Sequence, residues 1–260
     1  QLRLMERRGP AAEKDIGTAV AIYRDSERRG RLAVMIDSAA AAGGGRSALL
    51  RAVKSAFFLE DGRFGDARAE LFGARSKEPT ERELHAILSY VARAGRETKQ
   101  REVGEFFSFV ARRFLERHAD SPRASEVMLM LAENVRESAP RAEGPARAAA
   151  LDEALALAAA ARDRALGVSC RDRASEFRAK MLFEDLQRCG EALAELDRVV
   201  RGDGPRSLEV ERLRMRAHLA SGDAEAAARA LSALAADPDS NAARIGEYGL
   251  AALAFQRGAY

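Results

Sequence analysis

Tryptophan is absent from this 260-residue chain, aromatic residues make up only 6% of it, and β-branched residues are sparse. A sheet protein of this length draws more heavily on Val, Ile, Thr and Tyr to cover a pleated surface, so the deficit argues against a β architecture. Cysteine is nearly absent too, with only Cys170 and Cys189. The pattern predicts that they sit near opposite ends of one helix, which at ~1.5 Å rise per residue separates them by roughly 28 Å. A disulfide needs a Cα separation below about 7 Å, so no structural bridge is expected. Two cysteines without several histidines are also too few for a zinc site. No apolar run reaches the ~18 residues that would mark a membrane span. No secretory leader is visible. The chain begins at Gln1 rather than Met, which predicts an N-terminus trimmed or processed.

Sequence signatures of catalysis are equally scarce. The three histidines, His85, His118 and His218, fall into no metal-binding spacing. No nucleophile elbow or kinase signature occurs. Gly43-Gly44-Gly45-Arg46-Ser47 is superficially like a phosphate loop but lacks the Gly-Lys-Ser/Thr ending and a preceding strand. Carboxylates are abundant, yet no pair is singled out by an apolar setting. The expectation is therefore no enzyme activity, no cofactor and no metal. The 43 basic and 40 acidic residues nearly cancel, to a net charge of +3, and both signs are interspersed along the chain. That describes a solvated helical surface rather than a nucleic-acid footprint.

What the chain does hold is Ala, Leu, Glu and Arg, all strong helix formers. Gly, Pro and Asp/Ser clusters cut it into amphipathic segments with the i, i+3, i+4, i+7 pattern. Helices are predicted at about 11–28, 31–41, 46–60, 64–76, 80–94, 98–118, 122–137, 145–166, 172–188, 190–201, 206–221, 223–236 and 240–256. Thr80 and Glu83 have capping-box spacing. Ser121-Pro122 places a good N-cap before Pro at the first helical position. Gly62, Gly95 and Gly222 are expected to end helices, because Gly adopts the left-handed C-cap conformation cheaply. Glu143-Gly144-Pro145 reads as a break between helices. Leu84, Ile87, Leu88 and Val91 form one apolar stripe, and Val103, Phe106, Phe107, Val110, Phe114 and Leu115 another, both at the spacing a helix–helix core needs.

Helix pairs joined by glycine turns invite a search for an internal repeat. Three stretches answer it. One runs from Ala56 through Gly62, Phe64 and Ala67 to Leu71 and Ala74. A second covers Leu182 to Val200 with Ala192, Leu193 and Leu196. A third covers Leu219 through Gly222, Ala227, Leu231 and Leu234 to Asp237-Pro238. The last two are offset by 35 residues. This pattern resembles the tetratricopeptide repeat, a 34-residue helix–turn–helix unit with Gly at its turn, small Ala in the second helix and Asp-Pro at its end. A further stretch, Phe114 to Ala132 with Asp120-Ser121-Pro122, resembles the junction of tetratricopeptide proteins in bacterial outer-membrane assembly and Tol–Pal systems, with His118-Ala119 in place of Tyr-Pro.

The resemblance implies an all-α fold, an α-α superhelix in which antiparallel helix pairs form a solenoid. Residues 1–45 are expected to be degenerate N-terminal helices. The repeats are expected at 46–76, 80–118, 122–166, 172–201 and 206–236, with a half repeat at 240–260 that predicts further repeats past Tyr260. In this family the first helix of each pair lines a concave groove that meets a segment of a partner protein. Carried over by position, Met181, Glu184 and Asp185 of one repeat and Arg212 and Arg216 of the next are the expected partner-binding residues. The implied function is a non-enzymatic scaffold or adaptor, part of a multi-protein bacterial envelope complex and favouring the periplasm. Two other readings stay open: a helical accessory region of a larger enzyme such as a lytic transglycosylase, and a sensor region of a regulatory protein.

Overall fold

The computed structural model describes residues 47–73, 79–98, 101–199, 208–236 and 240–256, together with Val34. Among the described residues there are eleven helices and no strand: α1 (Ser47–Glu60), α2 (Phe64–Phe72), α3 (Glu81–Thr98), α4 (Arg101–Arg117), α5 (Ala124–Ser138), α6 (Pro145–Arg164), α7 (Val168–Glu184), α8 (Cys189–Leu196), α9 (Leu208–Ala220), α10 (Ala224–Ala235) and α11 (Ser240–Gln256). Helix packing is sequential, as in an α-α solenoid: most helices meet a chain neighbour within their own unit, and several also meet the next helix but one. The helix expected at 11–28, that at 31–41 apart from Val34, the stretch Gly43-Gly44-Gly45-Arg46, Ala74, Asp237-Pro238 and the segment 258–260 lie outside the described residues.

The chain divides into two compact units, Gln1–Ser138 and Ala139–Tyr260. Helices α5 and α6, expected as the pair 122–166, fall in different units. In the first unit α1 packs on α2 and α3, α2 on α4, α3 on α4 and α5, and α4 on α5. Both predicted apolar stripes supply its core, with Leu84, Ile87, Leu88, Phe106 and Phe114 fully buried. Leu115, at the edge of its stripe, is only half-buried. The Ser55 hydroxyl donates to the Ala67 carbonyl at 2.7 Å, tying α1 to α2 inside the core. Tyr90 Oη donates to Glu60 at 2.6 Å, linking α3 to the end of α1.

Helix ends follow local chemistry. The Thr80 backbone N–H donates to Glu83 Oε2 at 2.7 Å, the glutamate half of the expected capping box. Ser121 Oγ accepts from the Arg123 N–H at 3.0 Å, and α5 begins at Ala124, two residues later than expected. Gly144-Pro145 starts α6 with Pro at its first position. Gly95 does not end a helix. α3 continues to Thr98; one glycine costs a helix interior only about 1 kcal/mol, too little by itself to end a helix.

In the second unit α6 packs on α7, α7 on α8, α8 on α9, α9 on α10 and α10 on α11, and α7 also meets α9. The two cysteines do not share a helix. A turn after Glu184 breaks the predicted segment, so that Cys170 lies in α7 and Cys189 opens α8; no disulfide joins them. α10 and α11 approach closely, since a Cβ at Gly246 would fall on the backbone of Leu231 and Ala235.

This unit also holds an ionic cluster. Glu195, only 5% exposed, receives Arg162 Nη1 on both carboxylate oxygens at 3.0 Å and Arg198 Nη1 at 3.2 Å. Arg178 Nε lies 3.1 Å from Oε1 as an ion pair whose N–H is not aligned for a hydrogen bond. Arg178 instead donates through Nη1 to the Leu155 carbonyl at 2.8 Å. Burial alone would lower the Arg162 pKa, but its hydrogen bonds to Asp163 and Glu195, with the charges behind them, outweigh that and raise it. From α9, Arg214 reaches the end of α8, donating to the Leu196 carbonyl at 2.9 Å and to Asp197. A cation there suits both the orphan carbonyls and the helix dipole, and α8 ends at Leu196 rather than near 201.

Candidate functional site

Among the described residues, three hairpins share a common turn geometry. The residue with positive φ is Gly62 (71°) between α1 and α2, Gln187 (56°) between α7 and α8, and Gly222 (79°) between α9 and α10. Each is followed by an N-cap residue of similar conformation: Arg63 (φ −92°, ψ 62°), Arg188 (−96°, 67°) and Asp223 (−86°, 74°). At both glycines the turn closes alike. Arg63 N–H donates to the Phe58 carbonyl at 2.7 Å and Asp223 N–H to the His218 carbonyl at 3.0 Å, the six-to-one bond of a Schellman motif. At Gln187 the loop is one residue wider, with Arg188 N–H bonded to the Leu182 carbonyl at 2.7 Å.

The packing repeats with the turn. Five residues after each positive-φ position stands a fully buried alanine, Ala67, Ala192 or Ala227, each 0% exposed. Nine residues after it stands a buried leucine, Leu71, Leu196 or Leu231, no more than 2% exposed. The small side chain lets the second helix close on the first; the leucine then fills the space beyond. The turns at Gln187 and Gly222 are 35 residues apart, the offset read from the sequence.

In the second unit this geometry sets the first helices of successive pairs, α7 and α9, side by side over a cluster of Ala179, Leu196, Val210 and Leu213, with Phe183 packed against it. The Arg216 guanidinium lies 5.0 Å from the Phe183 ring centroid and its Nη1 donates to Glu184 Oε1 at 3.4 Å. One turn back on α9, Arg212 Nη1 donates to Glu209 Oε1 at 3.4 Å. Glu176 of α7 feels Glu209: burial first, and that charge second, push its carboxyl above the usual carboxylate range, against the pull of Lys180 and Arg173. The result is a face of alternating charge around a half-buried aromatic ring.

The chain matches no protein-family model, no curated protein and no solved structure. What can be said of the site therefore rests on its own geometry.

Of the five residues singled out from the sequence, Glu184, Arg212 and Arg216 lie on this α7–α9 face, and two of them touch. Met181 does not join them: it is 0% exposed and part of the core beneath α7. Its position carried over as groove-lining, but an unbranched apolar side chain facing a neighbouring helix gains more from burial than from exposure. Asp185 is also turned away, its side chain 15% exposed and held by Arg147 Nη2 of α6 at 3.2 Å. The sequence reading missed Phe183, Lys180 and Glu176. Their signal was the i, i+4 spacing of Glu176, Lys180 and Glu184, together with an aromatic beside Glu184.

Among the described residues no group of His, Cys, Asp and Glu is placed to hold a metal ion. The histidines meet different neighbours: His85 Nε2 lies 3.5 Å from Glu126 Oε2, the His118 ring packs at a tilt against Phe114 with centroids 5.4 Å apart, and His218 belongs to α9. No described helix is long and apolar enough to cross a membrane.

Proposed function

We propose that this chain is a non-enzymatic interaction scaffold built from tetratricopeptide-type helix pairs, acting within a bacterial cell-envelope complex. The observation that carries the reading is the α7–α9 face. There the helix pairs present Lys180, Glu184, Arg212 and Arg216 around Phe183, a surface of both charge signs with an aromatic anchor. Such a surface suits an extended or helical segment of a partner protein, with hydrogen-bonding charges at the rim and one ring to bury. The envelope assignment draws on the Phe114–Ala132 junction and its likeness to the outer-membrane assembly and Tol–Pal proteins.

The test is reversal of both arginines, Arg212→Glu with Arg216→Glu. Partner binding to the purified protein is expected to weaken at least tenfold while far-UV circular dichroism stays unchanged, since both side chains are about half exposed. A partner that bound wild type and double variant with equal affinity would show that the groove lies elsewhere.

A further inference from the structure

Arginines outnumber acids where α6, α7 and the end of α8 meet. Arg162, Arg171, Arg178 and Arg198 gather there, and the acids recorded with them are Glu195 and Asp163. Arg162, Asp163, Arg171, Ser175 and Arg198 line a cavity of about 460 Å³. Glu195 and Asp163 together fix the Arg162 guanidinium, so its orientation is set before any ligand arrives. Arg171 is held more loosely, by a 3.4 Å hydrogen bond from Nη2 to the Ala165 carbonyl. The Arg198 side chain is 56% exposed and spends one donor on Glu195.

Ser175 is an independent observation. It is 0% exposed, it lines the same cavity, and its Oγ has no hydrogen-bond partner. A buried hydroxyl left unpaired is costly, and native structures almost always give it an acceptor. Asp163 is the acidic side chain of the lining; its Oδ1 accepts from Arg162, and neither of its oxygens is bonded to Ser175. An entering anion would supply an acceptor.

We propose that this cavity binds a phosphate group. Its donors come from three places in the chain: Arg162 on α6, Arg171 and Ser175 on α7, and Arg198 just after α8. That suits the tetrahedral oxygens of phosphate better than the flat pair of a carboxylate, and guanidinium forks match phosphate oxygens closely. Arg171 and Arg198 supply charge, Ser175 the buried donor, and Glu195 the brace that positions Arg162. The inference is independent of whether the α7–α9 face binds a protein.

The experiment is calorimetric titration of the whole chain at low ionic strength with inorganic phosphate, glycerol 3-phosphate and, as a flat anion, acetate. Saturable one-to-one phosphate binding is expected, with acetate far weaker. Binding of both phosphates would identify a phosphomonoester site; binding of inorganic phosphate alone, a site for the free ion. Arg171→Gln should weaken binding about tenfold or more and Ser175→Ala several-fold, as for lost hydrogen bonds to a charged ligand. Arg229→Gln, the same charge change on α10, should do nothing. Ser175→Ala places a good helix former in a helix, so it remains informative if Arg171→Gln does not fold. Unsaturable binding, equal loss in Arg229→Gln, or acetate binding as tight as phosphate would overturn the proposal.

Discussion

Replacing Glu195 by alanine tests the logic of the second unit most directly. Glu195 is 5% exposed, Arg162 and Arg178 are 16% and 18% exposed at their side chains, and α6, α7 and α8 each contribute to the cluster. Removing the carboxylate leaves two poorly hydrated guanidiniums facing each other with no acid between them. Breaking a buried ion pair from one side typically costs about 3–5 kcal/mol, because the orphaned charge stays behind. The value here should sit near the lower end, since Asp163 still holds Arg162 and Arg178 still has the Leu155 carbonyl. Arg198 is more than half exposed, so Arg198→Ala should cost under about 1 kcal/mol. Hydrogen exchange read on peptides from α6, α7 and α8 isolates this unit from the other. In Glu195→Ala, exchange of their most protected amides should accelerate on the order of a hundredfold to a thousandfold. An acceleration below about fivefold, matching Arg198→Ala, would refute the claim that one buried carboxylate braces three helices.

Two further outcomes follow from single positions. Gln187 holds φ at 56° where its counterparts are glycine; relieving a left-handed side-chain residue is worth about 1–2 kcal/mol, of which glycine's greater freedom in the unfolded chain takes back roughly half to one. Gln187→Gly should therefore stabilise the second unit by roughly 0.5–1 kcal/mol in urea unfolding, and a destabilised variant would mean that the wider loop needs its side chain. Glu176 has a folded pKa raised by burial and by Glu209. Its protonated form favours the fold, so its stabilising contribution is present below the usual glutamate pKa of about 4.3 and is lost as pH rises through the raised value. Glu176→Gln should then gain stability at pH 7, by under about 1 kcal/mol for a half-buried, solvent-screened group, and gain nothing at pH 4. An equal gain at both values would assign the effect to packing.

The parts of this fold that were legible in the sequence are those fixed by local chemistry. Gly62 and Gly222 announced their turns because few other residues adopt positive φ cheaply. The stripes at Leu84–Val91 and Val103–Phe114 announced their buried faces because helix periodicity is a property of neighbouring residues. Gln187 went unread because nothing in its side chain marks a left-handed residue; only the 35-residue offset from Gly222 pointed to it, and a helix was extended across it. Gly95 misled in the opposite sense, a glycine with no turn. Met181 and Asp185 were placed by position within a repeat, which fixes which helix they sit on but not what faces them. The Glu195 cluster was invisible for the same reason. Arg162, Arg178 and Glu195 lie on three helices, and their pairing depends on how those helices pack.

The three matching hairpins suggest what the sequence is free to vary. The same N-cap conformation is reached with different side chains. Arg63 pairs with Asp66 at 2.6 Å and Arg188 with Glu191 at 2.5 Å, whereas Asp223 itself accepts the Ala226 N–H at 2.9 Å. In each case an acid stands in the first turn of the second helix, where it meets the positive end of the dipole: Asp66, Glu191 and Glu225. The capping chemistry is interchangeable, but the alanine five residues past the turn and the leucine nine past it are not, because they set how closely the second helix approaches the first. A substitution at Ala192 or Ala227 that added even two carbons would have to push two helices apart, and would move α7 or α9 with them. The spacing of the α7–α9 face, and with it the distance between Phe183, Glu184 and Arg216, is thus fixed by small residues on the far side of each helix pair.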